Sequence, residues 1–470
     1  MPPENAGQED KMDQFREFIE THHDRFLTEL FGLIRIPSVS SDTDKKDEMW
    51  KAAEYWKKIL REAGTDRAEV LHTTGNPVVY AEKTVDPSLP TILVYGHYDV
   101  MPVDSIDLWE SPPFKPEVRD GRIYARGAAD DKGQSFMHAK AFEMMVRTGT
   151  LPCNVKFMIE GEEEIGSVSL PMFCTDYKEM LRSDIILVSD TSMISMDCPS
   201  ITIGLRGLAY LEVDLSGPDR ELHSGTFGGA VANPANALAK MIASLTGEDG
   251  SITIPGFYDD VIAIGGDERA ELAKAPFDET EFRRSLGVRE LYGEKGYTTK
   301  ERIGMRPSLD VNGIWSGYTG EGSMTIIPSR ATAKISMRLV PEQDPDKIGK
   351  LFEAHIRSVC PSSMKVTVKA LQGSKAYLSP IDTLGYRAAS RAIEKIFGKK
   401  PVPVRSGGSI SIIPQFEEIL GVKTILLGFG LESDAAHSHN ENFALYNFFR
   451  GIETIPWFYR YFAEGFKKNP

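Results

Sequence analysis

The stretch Thr91–Asp99 reads TILVYGHYD, in which four apolar or aromatic residues lead to an abrupt polar end. A short apolar run closed by glycine and polar residues is typical of a strand buried on both faces of a sheet. Amphipathic helical patterns such as Lys132–Met145 and Leu384–Phe397 lie between this run and similar ones. The other predicted strands are Val155–Ile159, Ile185–Val188 and Thr424–Leu427. Apolar strands that alternate with helices predict an α/β fold whose sheet is covered by helices on both faces.

The middle of the chain has a different pattern, in which polar and apolar residues alternate. The alternation follows the first residue of Tyr210–Leu215 and runs throughout Lys334–Leu339. Strands of this kind belong to a sheet with one face in water. At 470 residues the chain is also too long for a single hydrophobic core. We therefore predict an inserted α+β domain at residues 206–377, and a discontinuous first domain formed by residues 1–205 and 378–470.

The composition excludes several classes of function. With 54 Lys and Arg against 68 Asp and Glu, the formal net charge is −14, which disfavours nucleic-acid phosphates and anionic membranes as partners. The four cysteines form no C-x-x-C pair, so neither a disulfide framework nor a thiolate zinc site is predicted. The sequence has no run of about 18 apolar residues and no apolar N-terminal leader. We expect a soluble cytoplasmic protein with no nucleic-acid or membrane partner.

Side chains that can bind ligands follow each predicted strand. The segments after the four strands are Gly96–Asp99, Glu160–Glu164, Ser189–Asp190 and Ala436–Glu441. A fifth segment, Asp130–Gly133, opens the helix that begins near Lys132. Ligands of open α/β sheets bind beyond the carboxyl ends of the strands. We therefore expect these His, Asp and Glu side chains to converge at one edge of the sheet.

Each of these residues has an ordinary structural explanation when it is taken alone, since an Asp at a strand end usually forms a turn. An edge crowded with carboxylates, however, repels itself unless a cation is bound. Imidazoles and carboxylates without a thiolate suit zinc, manganese or cobalt. Two divalent ions balance the charge of one hydroxide and three carboxylates, namely Asp130, Glu164 and Asp190. The sequence therefore predicts a site for two divalent metal ions.

Five motifs in this sequence also match one known enzyme family. They are Gly96–Pro102 (GHYDVMP), Tyr124–Gly133 (YARGAADDKG), Glu160–Ser167 (EGEEEIGS), Leu222–Gly225 (LHSG) and Ala436–Glu441 (AHSHNE). The chain resembles the aminoacylase, carboxypeptidase G and carnosinase family of dinuclear metallopeptidases. It looks closest to the cytosolic nonspecific dipeptidase and carnosinase branch. The resemblance implies a zinc-peptidase-like catalytic domain, with a mixed sheet flanked by helices, and an inserted α+β lid that also mediates dimerisation.

The resemblance implies two Zn²⁺ or Mn²⁺ ions in each subunit, with Asp130 as the ligand that bridges them. One ion would also be held by His97 and Asp190, and the other by Glu164 and His437. The family further implies a cis peptide bond between Asp130 and the residue that follows it.

The resemblance also implies the groups that act beside the metal ions. Glu163 would be the general base for the water between the ions, and Asp99 would orient the imidazole of His97. Glu162 leaves open a shifted register among three consecutive carboxylates. The pair Gly166-Ser167 supports the register in which Glu163 is the base and Glu164 is the ligand.

The resemblance also implies residues of both domains that contact the substrate. His223 would reach into the active site of the partner subunit and stabilise the oxyanion, which requires a homodimer. Thr325 and Arg338 would bind the C-terminal carboxylate of the substrate, and Gly408 and Ser409 would contact the substrate from a loop. The alternatives are a histidine satisfied within the lid, an arginine exposed on a strand and a simple tight turn.

These features together predict an enzyme that cleaves the peptide bond of dipeptides carrying a free C-terminal carboxylate. An N-acyl amino acid deacylase or desuccinylase, or a carboxypeptidase G-like amidohydrolase, would use the same metal centre. An inactive relative that only binds a ligand is a third alternative, which the complete set of predicted ligands disfavours. A serine hydrolase is excluded because the sequence contains no G-x-S-x-G elbow.

Overall fold

The structure is a computed structural model that describes the backbone of residues 6–468 and the side chains of residues 13–266, 269–270 and 272–467. Its first part contains α1 (Ala6–Ile34), α2 (Lys46–Glu62), β1 (Arg67–Leu71), β2 (Val78–Lys83), β3 (Thr91–His97), β4 (Glu117–Arg119), β5 (Arg122–Tyr124), α3 (Lys132–Arg147), β6 (Asn154–Glu160), α4 (Leu170–Asp176), β7 (Ile185–Val188), β8 (Ser192–Met193) and β9 (Ser200–Leu205).

The middle part contains β10 (Gly207–Ser216), β11 (Leu222–His223), α5 (Ser224–Phe227), α6 (Pro234–Ala243), α7 (Gly266–Leu272), α8 (Glu279–Ser285), α9 (Thr299–Gly304), β12 (Ser308–Ser316), β13 (Ile326–Ile327), β14 (Arg330–Leu339), α10 (Pro345–Val359) and β15 (Lys365–Ser374). The last part contains β16 (Tyr377–Leu378), α11 (Leu384–Phe397), β17 (Val402–Ser406), α12 (Ile413–Leu420), β18 (Thr424–Leu426), β19 (Gly430–Leu431), β20 (Asn442–Ala444) and α13 (Leu445–Lys468).

The larger sheet is mixed and has the strand order β1-β2-β6-β3-β7-β18-β9-β16, with β17 paired to β9. Its centre is parallel, because β3 pairs in parallel with both β6 and β7, and β7 pairs in parallel with β18. One face packs on a buried cluster that includes residues of α1, α2, α3, α11 and α13. The other face packs on a smaller cluster that includes residues of α4 and α12. The predicted mixed sheet flanked by helices is confirmed.

The smaller sheet is antiparallel, with the order β12-β14-β10-β15. Burial alternates along β10, where Leu211 and Val213 are buried while Tyr210 and Glu212 are half-buried. The buried face contacts α6 and α10 in a separate hydrophobic cluster. This is the sheet with one wet face that the alternating sequence pattern predicts. Its strands all lie within residues 207–374, and β16 then returns to the larger sheet by pairing with β9. The exact division at residues 206 and 377 stays a prediction.

The secondary structure follows the hydrophobic pattern closely. The predicted helix Leu384–Phe397 has those bounds in the structure, and the predicted strand Ile185–Val188 does too. Apolar periodicity locates both elements well because each buries a continuous stripe or run of side chains. Within the described residues, no helix has the length and apolar character needed to cross a membrane.

Candidate active site

The parallel centre of the larger sheet brings three polar segments to one edge. In the parallel register, His97 at the end of β3 lies opposite Glu160 at the end of β6, and Tyr95 lies opposite Val188 at the end of β7. The chain leaves all three strands in the same direction, so the residues that follow share one edge. The sequence pattern predicts this convergence, and the backbone register produces it.

Two groups of possible metal ligands lie at this edge. The first contains His97, Asp130 and Asp190, and the second contains Asp130, Glu164 and His437; within each group the ligand atoms lie within 4.8 Å of one another. The peptide bond that follows Asp130 is cis, as the resemblance predicts. All five predicted metal ligands are therefore brought together by the fold.

Asp130 belongs to both groups, and its two oxygens face different imidazoles. Its Oδ1 lies 3.2 Å from Nε2 of His97, and its Oδ2 lies 2.9 Å from Nε2 of His437. The same nitrogen of His437 is 3.1 Å from Oε2 of Glu164, and Nε2 of His97 is 3.8 Å from Oδ2 of Asp190. A carboxylate whose two oxygens point to two separate ligand sets has the arrangement of a bridging ligand.

The donor set fits divalent metal ions. The His97 side chain is fully buried, and among the described residues its Nε2 makes no well-formed hydrogen bond, although Oδ1 of Asp130 lies 3.2 Å away. Its Nδ1 lies 3.1 Å from the carbonyl oxygen of Asp99 and 3.3 Å from Oδ1 of the same residue. A buried polar atom without a partner is costly, and an imidazole whose Nδ1–H is held by an acceptor presents Nε2 to a metal. Nitrogen and carboxylate oxygen donors without sulfur suit zinc and manganese.

The electrostatics of the edge also favour a bound positive charge. Burial, followed by the neighbouring Asp130 carboxylate, raises the pKa of Asp190 and that of Glu164. Hydrogen bonds to Asp130 and Glu164 raise the pKa of His437 to about 11. Protons are therefore drawn to these ligands because too many acids share a buried space. Divalent cations would supply that charge instead.

The predicted base, Glu163, lies on a short turn that Asp99 holds in place. The carboxylate oxygens of Asp99 accept hydrogen bonds from the backbone N–H groups of Glu163 and Glu164, at 3.2 Å and 3.1 Å. Burial raises the pKa of Glu163 well above its ordinary value; the His97 imidazole lowers it, and the neighbouring carboxylates, Glu164 first, raise it. Asp99 therefore contacts both the His97 imidazole and the turn that carries two other site residues.

Glu162 points elsewhere. Its carboxylate accepts hydrogen bonds from the backbone N–H groups of Asn76 at 2.9 Å and Ser169 at 2.8 Å, and it belongs to neither ligand group. These contacts tie two loops together, which is a structural role. The geometry favours the register in which Glu163 and Glu164, rather than Glu162, face the edge of the sheet.

Glu441 is a residue of the site to which sequence reasoning gave no role. This fully buried carboxylate accepts hydrogen bonds from Nη1 of Arg126 at 2.7 Å and from the backbone N–H groups of Gly127, Ala129 and Asp130 at 3.0–3.1 Å. It thus fixes the backbone that carries the shared aspartate. Its place in the motif Ala436–Glu441 was a signal, but only the tertiary contacts show what the side chain does.

The predicted substrate residues form two separate groups. Nη1 of Arg338 donates a hydrogen bond to Oγ of Ser409 at 2.8 Å, so Arg338 lies beside the loop that contains Gly408. His223 and Thr325 lie together elsewhere, because β11 pairs with β13 and the backbone N–H of Ser224 donates to the carbonyl of Thr325 at 2.9 Å.

The smaller sheet separates these two groups. Arg338 pairs with Leu208 near the start of β10, whereas Ser216, at the end of β10, pairs with Arg330. The strand between Arg338 and Arg330 spans roughly 25 Å at the usual rise per residue. His223 follows Ser216 in the chain and Thr325 precedes Arg330, so both lie past that far end of the ladder. The structure brings Arg338, Gly408 and Ser409 together but does not bring His223 to them within one chain.

Comparison with known proteins agrees with this geometry. The model of peptidase family M20/M25/M40 matches residues 93–457 of the chain. The chain belongs to this family. It is therefore a metallopeptidase, as the motifs predict, and the predicted likeness to the dipeptidase and carnosinase branch is confirmed by its relatives.

Similar members of the family are dipeptidases and a carboxypeptidase. The chain is 33% identical to the Beta-Ala-His dipeptidase of Homo sapiens over 95% of its own length and 92% of that protein. It is 31% identical to the Cys-Gly metallodipeptidase dug1 of Schizosaccharomyces pombe, over 94% of its own length and 97% of that protein. Its structure superposes with a TM-score of 0.85 on an M20 family metallo-carboxypeptidase from Sulfolobus solfataricus, with 32% identity, covering 93% of this chain and 99% of that one.

We expect Glu441→Gln to weaken the binding of divalent metal ions by about 10- to 100-fold. The NH₂ group of the glutamine amide would then face backbone N–H donors, so the backbone beside Asp130 would lose acceptors that position it. Metal titration of the chelated protein by calorimetry measures this. Glu453→Gln is the matched control, since Glu453 is also buried but pairs with Arg16 and Arg450 on the helical face. Equal metal affinity in Glu441→Gln and the native protein would contradict the positioning role.

Proposed function

We propose that this protein hydrolyses dipeptides that carry a free C-terminal carboxylate, using two divalent ions, zinc or manganese, that share Asp130. The observation that carries the proposal is the pair of ligand groups joined by the two oxygens of Asp130. The human and fission-yeast relatives, which are both named as dipeptidases, support this substrate class.

The proposed ligands divide as the distances suggest. His97 and Asp190 would hold one ion, Glu164 and His437 would hold the other, and Asp130, which belongs to both groups, would be shared between them. When bound, two such ions polarise the scissile carbonyl and lower the pKa of a water molecule placed between them. The residues of the protein position the water, the peptide and the base relative to one another.

Glu163 is the proposed general base. It is adjacent to a proposed metal ligand, Glu164, so one carboxylate can bind the metal while its neighbour faces the water. Glu163 takes a proton from the attacking water and then gives it to the nitrogen of the leaving amine as the peptide bond breaks. Burial is the first cause that raises the pKa of Glu163 above its ordinary value, which favours uptake of a proton by its carboxylate.

Arg338, with Gly408 and Ser409, is the proposed site for the substrate carboxylate. The Arg338 side chain is partly buried, and no ion pair joins it to an acidic group among the described side chains. An unpaired guanidinium offers a planar fork of donors that matches a carboxylate. Gln372 connects this group to the turn that carries Glu163 and Glu164. Nε2 of Gln372 donates a hydrogen bond to Oγ of Ser411 at 3.4 Å, two residues after Ser409. The same nitrogen lies 2.7 Å from the position that a Cβ on Gly166 would take, at the end of that turn.

The separation of His223 and Thr325 from Arg338 leads us to propose a homodimer. One chain would supply the metal centre and Arg338, and the partner would supply His223 for the oxyanion and Thr325 for the carboxylate. The edge strand β12 and the loop after it expose Ile314, Trp315 and Tyr318, with Trp315 47% exposed. An unpaired edge strand with large apolar side chains is a surface suited to pairing with a second copy.

We infer that the protein works in the cytoplasm, without nucleic-acid or membrane partners. Its four cysteines are free, which fits a reducing compartment. The net charge of −14 fits neither phosphate backbones nor anionic lipid.

The main alternative is a deacylase or carboxypeptidase with the same metal centre. The likeness to the metallo-carboxypeptidase from Sulfolobus solfataricus supports this alternative. An inactive binding protein is disfavoured, since the proposed ligands and the base converge at one edge of the sheet.

A substrate panel tests the proposal. The protein is stripped of metal with a chelator, reloaded with manganese or zinc, and assayed with free dipeptides including β-alanyl-histidine, a tripeptide, and N-acetyl and N-succinyl amino acids. We expect metal-dependent cleavage of the free dipeptides. Cleavage of acylated amino acids alone would move the protein to the deacylase alternative, and no turnover with bound metal would contradict the enzymatic proposal.

The role of Glu163 is tested by Glu163→Gln, which we expect to lower kcat by about 10²- to 10⁴-fold while the metal content stays unchanged, because the amide cannot carry the proton. Glu162→Gln is the matched control, since Glu162 is a neighbouring buried carboxylate that bonds only to loop backbone. We expect it to lower the thermal stability and to keep kcat. The reverse result would show that the register of the three carboxylates is shifted.

The dimer is tested by combining two inactive variants. A heterodimer of His223→Ala and Glu163→Gln, isolated through two different affinity tags, contains one complete site if His223 acts on the partner. We expect it to have about half the activity of the native dimer, whereas each homodimeric variant is nearly inactive. An inactive heterodimer, or a fully active monomer, would contradict the exchange of His223 between subunits.

A further inference from the structure

Arg206 lies between β9 and β10 and holds every residue of the loop Gly407–Ser409. Its backbone N–H donates to the carbonyl of Gly408 at 3.1 Å, and its Nε donates to the carbonyl of Gly407 at 3.1 Å. Its own carbonyl accepts a hydrogen bond from Oγ of Ser409. The residue therefore fixes the whole loop that carries two proposed substrate contacts.

The far side of the Arg206 guanidinium contacts the segment that leads into β12. Its Nη1 donates to Oγ of Ser308 and to the carbonyl of Arg306, both at 3.3 Å. Gly407 packs tightly in the same place, since a Cβ there would lie 2.9 Å from the carbonyl of Ile303 and 3.1 Å from Nη2 of Arg206. The Arg206 side chain thus contacts both the loop Gly407–Ser409 and the segment that leads into the smaller sheet.

Among the side chains that the structure describes, none forms an ion pair with Arg206. All its hydrogen-bond partners among the described residues are carbonyl and hydroxyl oxygens. Burial, and then the neighbouring Arg338, lower the pKa of Arg206 to about 10, and Asp310 is the acid that acts on both cations. Two partly buried guanidinium groups that share one distant acid would be stabilised by a bound anion.

The hydroxyl of Ser409 forms one hydrogen bond with Arg206 and one with Arg338, and its donor and acceptor roles in the two bonds are fixed. It donates its proton to the carbonyl of Arg206, and it accepts a hydrogen bond from Nη1 of Arg338. The direction of this chain fixes how the Arg338 guanidinium is turned. The other N–H groups of Arg338 are then available for a ligand, in an orientation that Arg206 determines through Ser409.

We propose that Arg206 is a positioning residue that makes this site selective for a substrate with a C-terminal carboxylate over the same substrate with an uncharged amide. The inference rests on the proposed dipeptidase function. Arg206 acts in two ways: it fixes the loop that orients Arg338, and it adds a second positive charge that a carboxylate neutralises. An amide gains less, because its oxygen can accept a hydrogen bond from a guanidinium but the group carries no negative charge that the two cations could neutralise.

The test compares a free dipeptide with its C-terminal amide in the metal-loaded full-length protein. For Arg206→Met we expect the ratio of kcat/KM for the acid to kcat/KM for the amide to fall by about tenfold or more, as for loss of a charge-assisted contact. The fall should come from a higher KM for the acid. Arg206→Lys keeps the charge but loses the Nε bond to Gly407, so its ratio should lie between those of Arg206→Met and the native protein.

Arg306→Met is the control for structural damage. Arg306 is a buried arginine of the same segment, but its guanidinium pairs with Glu294. We expect this variant to lower the melting temperature while the acid-to-amide ratio stays within about twofold of the native value.

The outcomes separate the inference from the function on which it rests. A native protein that cleaves no dipeptide, or that cleaves acid and amide equally well, would overturn the proposed function itself. The role of Arg206 would be overturned by a different result. In that case the native protein prefers the acid, and the variants of Arg206 either keep the same acid-to-amide ratio or lose both activities in equal proportion. If Arg206→Met does not fold, the ratio measured for Arg206→Lys decides in the same way.

Discussion

The shared carboxylate of Asp130, facing one imidazole with each oxygen, is the contact on which the rest of the site depends. It can serve two ligand groups only because the parallel strands β3, β6 and β7 end together and because the chain reaches Asp130 from another direction. Glu441 holds that part of the chain by three backbone N–H groups and one guanidinium. The crowding of acids that results is tolerable only with compensating cations, which is the physical reason for a metal centre at this edge.

The smaller sheet imposes a second constraint, which is one of length. Strands of ten residues, such as β10 and β14, place their two ends farther apart than any side chain can reach. The end near Arg206 and Arg338 contacts the loop Gly407–Ser409, and His223 follows the other end, where β11 pairs with β13. This separation is the reason for the homodimer that we propose, in which a second copy would complete the site and the exposed edge strand β12 would be a surface for its binding.

Much of this could be predicted from the sequence, because burial leaves a pattern in the choice of residues. The apolar runs located the central strands, and the periodicity of Leu384–Phe397 gave the bounds of α11. The principle that ligands bind beyond strand ends then led to His97, Glu164 and Asp190 before any distance was known. The same principle led to the segment that contains His437, whereas Asp130 lies in a segment that opens a helix. The motifs then implied which ion each of these residues would hold.

The residues that sequence reasoning missed act through backbone contacts. Glu441 binds N–H groups more than 300 residues away in the chain, and Arg206 binds the carbonyls of a loop about 200 residues away. For Glu162, the pair Gly166-Ser167 favoured the register from the sequence, and the backbone N–H groups that its carboxylate accepts from give the side chain its structural role. Contacts of this kind impose no periodicity and no local spacing, so tertiary structure is needed to find them.

The most direct test of the shared-carboxylate centre is anomalous X-ray diffraction from crystals grown with manganese or zinc. We predict two anomalous peaks in each chain, about 3.5–4 Å apart, with one oxygen of Asp130 bound to each ion. One peak should lie beside His97 and Asp190, and the other beside Glu164 and His437. A single peak on one side of Asp130, or two peaks that do not share Asp130, would contradict the account.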